Sequence, residues 1–321
     1  MKLKYGEAIR EALDDALKND DSTVLFGQDI QYNVYGYTGD LLNKYGAERV
    51  INVPLSEAAV VGTAIGASMC GLKLIVDLTV ANFLYVAMDQ LASIAAKNAY
   101  MYNGQFKTPI TIMYSTFLNT SSAAQHSDRP HPMLMNIPGL KVLAPAGPQD
   151  AYSLLRSAID DTNPVLYYTD RSLFYDEEEV DTEQVVPIGQ ASLLVHGDDV
   201  TIVTISGAKK LVLNILPELK KNGISAELID VRSLVPLNID AIKKSVIKTG
   251  RIVIVDTANR TCSAAGEISS RLAEDIFAHL KAPIGIVAHD DIPVPFANNL
   301  EHQIMPTREK VWGKIISVLK F

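Results

Sequence analysis

Short apolar runs recur along this chain with helix-length amphipathic stretches between them, and that alternation limits the fold more than any other feature. Residues 23–27, 49–53, 72–77 and 109–114 read as strands, the last apolar enough to be buried on both faces. The spacing of Ile9, Leu13, Ala16 and Leu17 predicts a helix over 5–17, and a second helix ends near Gly46. A small-residue helix runs to Cys70 and Gly71, and a long one spans 85–100. Strands alternating with helices predict an α/β fold, a doubly wound and mostly parallel sheet. The pattern resumes later, with strands at 200–205, 226–230 and 251–256 and helices at 209–222 and 239–249. The expected organisation is therefore a first domain over 1–180, a linker over 181–197 and a smaller α/β domain over 198–321. The acidic run 176–179 and the polar stretch to Pro187 read as a solvated linker.

Composition narrows the partners. At 321 residues the chain can bury two cores, and its net charge of -8 leaves no basic stripe to neutralise phosphates, so nucleic acid is not expected as a partner. No apolar run approaches the length that spans a bilayer, and the opening residues lead into a helix pattern, so no membrane anchor or targeting segment is expected. Cys70 and Cys262 are far apart and flanked by small residues, which predicts core packing in a reducing cytoplasm. No Cys or His spacing suits a metal.

One carboxylate stands out. In Val53-Pro54-Leu55-Ser56-Glu57-Ala58-Ala59-Val60-Val61-Gly62 a strand ends near Pro54 and small residues begin a closely packed helix, with Glu57 at the junction. An unpartnered charge is costly in such an apolar place. Glu57 therefore serves either a ligand or the positive end of a helix, and the residues alone leave both open. His126 lies in a Ser/Gln/Asp-rich loop after a buried strand, where function concentrates, although a lone histidine is more often structural. His131 is a weaker candidate, read as a solvated loop residue.

Four segments in register extend the reading: Pro54-Leu55-Ser56-Glu57; Asn82 to Gln90 running on to Lys97; Gln125-His126-Ser127 followed by Ile137-Pro138-Gly139-Leu140-Lys141-Val142; and Asp230 to Pro236 with Asp291 to Pro295. Over nearly its whole length the chain resembles the β subunit of the thiamine-diphosphate-dependent 2-oxo acid dehydrogenases, in the transketolase-like superfamily. The resemblance implies a pyrimidine-binding domain followed by a transketolase C-terminal-like domain. It implies that Glu57 hydrogen-bonds the aminopyrimidine of thiamine diphosphate and promotes its reactive tautomer. Phe83 would stack on that ring, with Tyr85 as the fallback, and Gln28 would border the cofactor. His126 would hold or relay protons at the substrate. The turn formed by Ala158, Ile159, Asp161 and Asn163 resembles a potassium site, and equally a plain turn before Pro164.

The same resemblance exposes a gap. The family's Gly-Asp-Gly motif, which holds the diphosphate through Mg²⁺, is absent here. In the family that half-site lies on an α subunit, which implies an α2β2 heterotetramer and a dihydrolipoyl acyltransferase core as a further partner. Gln28 replaces a customary glutamate, the 115–132 loop departs from the usual pattern, and Asp170-Arg171 stands where relatives carry Glu. The expected activity is oxidative decarboxylation of a pyruvate-like 2-oxo acid, with acyl transfer to a lipoyl carrier. The alternatives are half of a split transketolase-like enzyme passing a ketol or acyl unit to another acceptor, and a non-catalytic scaffold, against which the joint presence of Glu57, Phe83 and His126 argues.

Overall fold

The computed structural model describes residues 1–118 and 120–321. The chain forms two compact units, one of Met1–Thr116 with Met133–Ile188 and one of Phe117–Pro132 with Gly189–Phe321. The division after Ile188 falls inside the 181–197 segment read as a linker, and the second unit also takes in the short stretch that carries His126.

The first unit runs β1 (Lys2–Lys4), α1 (Tyr5–Asn19), β2 (Thr23–Gln28), α2 (Leu41–Tyr45), β3 (Val50–Val53), α3 (Glu57–Met69), β4 (Lys73–Val80), α4 (Asn98–Met101) and β5 (Ile110–Thr116). After α5 (His131–Met135), whose first two residues fall in the second unit, come β6 (Lys141–Leu143), α6 (Pro148–Ile159), β7 (Val165–Asp170) and β8 (Glu177–Glu179). Within this unit the strand order is β6-β7-β5-β4-β2-β3, every pair parallel. β5 is buried along its whole length, as its composition predicts. On one face α1 packs against α6, and Ile9, Leu13 and Leu17 join Leu154 and Leu155 in a single core.

Two expectations change here. The acidic run 176–179 is not a solvated linker, because Glu177–Glu179 forms β8, antiparallel to β1. Lys2 and Lys4 face Glu179 and Glu177 in register, and Lys2 Nζ reaches Glu177 Oε2 at 2.5 Å, so opposite charges pair across the ribbon. Glu178 points the other way and accepts the Gln149 amide at the start of α6, at 2.6 Å. The helix expected over 85–100 is instead a 3₁₀ turn (Ala81–Ala87), a π-helical stretch (Gln90–Ala95) and α4. The amide of Ala96 bonds the carbonyl of Leu91, five residues back. Such a shift of register barely alters apolar spacing, so the sequence reads as one helix. Cys70 and Cys262 are exposed, not core residues.

The second unit contains β9 (Ser192–Val195), β10 (Val200–Thr204), α7 (Ala208–Leu213), α8 (Leu216–Lys221), β11 (Ala226–Asp230), β12 (Ser233–Val235), α9 (Ile239–Thr249), β13 (Ile252–Asn259), α10 (Ala264–Ile276), β14 (Gly285–His289), α11 (Asn298–Ile304) and α12 (Arg308–Leu319). Its sheet has the order β14-β13-β10-β11-β9, with β9 alone antiparallel. The helix expected over 209–222 is broken in two, with Pro217 in the first turn of α8, where its missing amide costs nothing. Side-chain caps at Asn238, Ser263 and Thr307 start α9, α10 and α12.

Gly139 is one position where only glycine fits. Its φ is +101°, and a Cβ built there would overlap the carbonyl of Ala96. Gly139→Ala is expected to destabilise the first unit by about 2–4 kcal/mol. Calorimetric melting checks this, and an unchanged melting temperature would contradict the close approach.

Candidate active site

In open parallel sheets, ligands gather at the carboxyl ends of the strands. Gln28 ends β2 and lies in register with Val53, the last residue of β3. From Val53 the chain turns through Pro54, Leu55 and Ser56 into α3, whose first residue is Glu57. Glu57 is half-buried at the positive end of that helix, where an anion is favoured. β4 leads directly into the 3₁₀ turn Ala81–Ala87, which packs against α3 and carries Phe83, half-buried, and Tyr85, 41% exposed. Gln28, Glu57, Phe83 and Tyr85 thus come together at one end of the first unit's sheet.

Gln28 is 1% exposed, and neither its Nε2 nor its Oε1 has a hydrogen-bond partner. A buried amide left unsatisfied costs about 1–3 kcal/mol. Beside a carboxylate at a helix start and two accessible aromatic rings, that amide fits the polar edge of a heteroaromatic ligand. The residues present therefore suit an aminopyrimidine.

The sequence reading did not single out Asp77. It is 2% exposed near the end of β4 and accepts the Tyr37 hydroxyl at 3.0 Å and the Thr79 amide at 2.8 Å. Asp77 faces Gly27 across β2 and β4, and a Cβ at Gly27 would lie 2.8 Å from the Asp77 carbonyl. Gly27 is glycine because Asp77 must pack there. Tyr37 stacks on Tyr35 at 6.0 Å between centroids, and the Arg171 guanidinium lies 5.1 Å from the Tyr35 ring and 4.0 Å from that of Phe174. Burial pushes the Asp77 carboxyl up to about 6, against the pull of the Thr79 and Tyr37 hydrogen bonds. The available signal was an aspartate closing an apolar strand after a tyrosine-rich loop.

Because the folded value lies above the ordinary 3.8, the native state holds this proton more tightly than the unfolded chain. The stability Asp77 contributes is complete below about pH 4 and is lost as pH rises through about 6, a change of about 3 kcal/mol. Asp77→Asn should therefore gain stability relative to the unmodified protein between pH 4 and pH 7. Denaturant melts across that range test it, and a difference independent of pH would refute the shift.

His126 belongs to the second unit, on the 3₁₀ turn Ala124–His126, where it and Gln125 are exposed. The four residues above belong to the first unit. His131 is not a solvated loop residue: it is fully buried, with Nε2 3.8 Å from Asp256 Oδ1. At the turn after α6 the Ala158 carbonyl accepts the Asp161 amide, and Asp161 in turn accepts the Asn163 amide at 2.9 Å and pairs with Lys141. Ile159 is a core residue there. Among the described residues no cluster of His, Cys, Asp and Glu could hold a metal, and no helix is long and apolar enough to cross a membrane.

Comparison with known proteins agrees with this architecture. The transketolase pyrimidine-binding domain matches residues 1–176 and the transketolase C-terminal domain matches 189–311. The β subunit of acetoin:2,6-dichlorophenolindophenol oxidoreductase from Cupriavidus necator is 38% identical over 97% of this chain and 95% of its own. The β subunit of the pyruvate dehydrogenase E1 component from Rickettsia felis is 37% identical over 97% and 96%. A solved split-gene transketolase, described as an inactive beta4 tetramer, shares the fold with a TM-score of 0.80 at 21% identity, covering 98% of this chain and 97% of that one. With two domains in the expected order and full-length relatives of this kind, the chain belongs to the transketolase-like family of 2-oxo acid dehydrogenase β subunits.

Proposed function

We propose that this chain is the β half of a thiamine-diphosphate enzyme that oxidatively decarboxylates a small, pyruvate-like 2-oxo acid and passes the acyl group to a lipoyl carrier. The observation that carries the proposal is Glu57 at the start of α3, beside the orphaned amide of Gln28 and the aromatic turn of Phe83 and Tyr85. When bound, thiamine diphosphate supplies the nucleophilic carbon and the electron sink for decarboxylation. Glu57 shares a proton with a ring nitrogen of its aminopyrimidine. Phe83, or Tyr85 in its place, holds the ring by stacking, and the Gln28 amide meets its polar edge. His126 holds or moves a proton at the substrate, a task that suits imidazole near neutral pH.

This chain has no Gly-Asp-Gly motif to hold a diphosphate through Mg²⁺, and its relatives are named as one subunit of larger enzymes. The diphosphate and Mg²⁺ are therefore assigned to an α subunit in an α2β2 assembly, with a dihydrolipoyl acyltransferase core as acceptor. Relatives named for pyruvate and acetoin favour this reading over a ketol-transferring split transketolase. A potassium ion at the 158–163 turn would have to displace Lys141 from Asp161. A cytoplasmic location is part of the proposal, and two exposed, unpaired cysteines suit a reducing compartment.

In the reconstituted αβ enzyme, Glu57→Gln should lower turnover about 100-fold or more while assembly is unchanged. Near-normal turnover would remove the proposal. His126→Ala should lower kcat more than it weakens cofactor binding, and loss confined to binding would contradict its role.

A further inference from the structure

The stretch that presents His126 is built unlike an ordinary surface loop. Gln125 and His126 are exposed, yet Ser127, Arg129, Pro130 and His131 are all buried. The backbone is left-handed at two non-glycine residues, Ser121 (φ 54°) and Ala123 (φ 60°). Such conformations persist only where the surroundings hold them. Those surroundings come from the second unit. The Ser121 amide donates to Glu301 Oε2 at 3.2 Å, and Glu301, on α11, is itself fully buried. Beyond the exposed turn, Arg129 Nη1 donates to the Ser127 carbonyl at 2.9 Å, and its Nη2 lies 4.0 Å from Met305 Sδ. His131 then meets Asp256 of β13. Asp256 is fixed in turn, because it accepts the Ala258 amide at 2.9 Å.

The turn with His126 is therefore clamped on both sides. The nearest clamp is Arg129, because the carbonyl it binds belongs to the residue directly after His126. That bond holds the peptide that follows Ser127 and so restrains the turn from which the imidazole leaves the backbone. Arginine suits the task better than lysine, since its planar fork holds one donor on a carbonyl while the rest of the group packs against a neighbour. We propose that Arg129 is a positioning residue for His126, by which the C-terminal unit sets the orientation of the imidazole. The inference rests on the proton-handling role given to His126 above.

The test is a double-mutant cycle in the reconstituted αβ enzyme, with pyruvate and acetoin as trial substrates and 2,6-dichlorophenolindophenol as the electron acceptor. Arg129→Ala is expected to lower kcat about tenfold, with KM and cofactor affinity little changed, and Arg129→Lys should recover part of the loss. In a His126→Ala background, Arg129→Ala should cost nothing further in kcat, because a residue acting through the imidazole has nothing left to position. Hydrogen exchange should show faster amide exchange in 123–127 for Arg129→Ala, with the core strands of the second unit unchanged. An equal loss of kcat in both backgrounds, or no loss in either, overturns the inference while leaving His126 catalytic. Should His126→Ala itself leave kcat unchanged, the role of His126 falls and the positioning role falls with it. If Arg129→Ala does not fold, Arg129→Gln and Arg129→Lys run through the same cycle with the same criteria.

Discussion

Parallel pairing of β2 with β3 fixes where the first unit can do chemistry. With Gln28 level with Val53, the chain leaving β3 turns into α3 beside the end of β2, and Glu57 arrives at the start of a helix instead of within one. A slip of one residue would reverse the facing of every side chain on a strand, turning the Gln28 amide to the other face of the sheet. The same sheet sets Gly27 against Asp77, while Gln28, the next residue of β2, turns its side chain to the opposite face, so the strand order buries the carboxyl on one face and the amide on the other. Helix direction adds to this, because the amide end of α3 favours the negative charge that Glu57 brings. The helix-terminal place of Glu57 and the ligand-binding role proposed for it do not compete at this junction.

Most of this was legible from the residues because it rests on local signals. Strands β2 to β5 announce themselves by apolar runs, and Glu57 stands out as a charge among small residues. What escaped depends on contacts distant in sequence. Asp77 looks like an ordinary strand end until Tyr37 and Gly27 are placed around it. The acidic run 176–179 looks solvated until the lysines of β1, far away in the chain, lie opposite it. His131 looks like a loop residue until Asp256 appears beside it. The broken helix 85–100 failed for a different reason, since a change of hydrogen-bond register leaves the apolar pattern almost untouched.

The departures from the family pattern gain a physical meaning from the structure. Gln28 cannot take up and release a proton as a carboxylate does, but as a buried amide it can donate and accept at a ligand edge. The unusual residues after Gln125-His126-Ser127 are not loose decoration, because Arg129 and His131 are buried anchors. A loop rebuilt in this way can carry the same imidazole on a different support. That separates the chemistry of the turn from the sequence that holds it.

The central claim is that this chain carries the pyrimidine half of a cofactor site and lacks the diphosphate half. Calorimetric titration of thiamine diphosphate with Mg²⁺, into the chain alone and into the chain assembled with its α-type partner, tests that most directly. The account predicts heat of binding only in the assembled pair. Tight binding by the isolated chain would contradict it, since a diphosphate site would then exist within these residues.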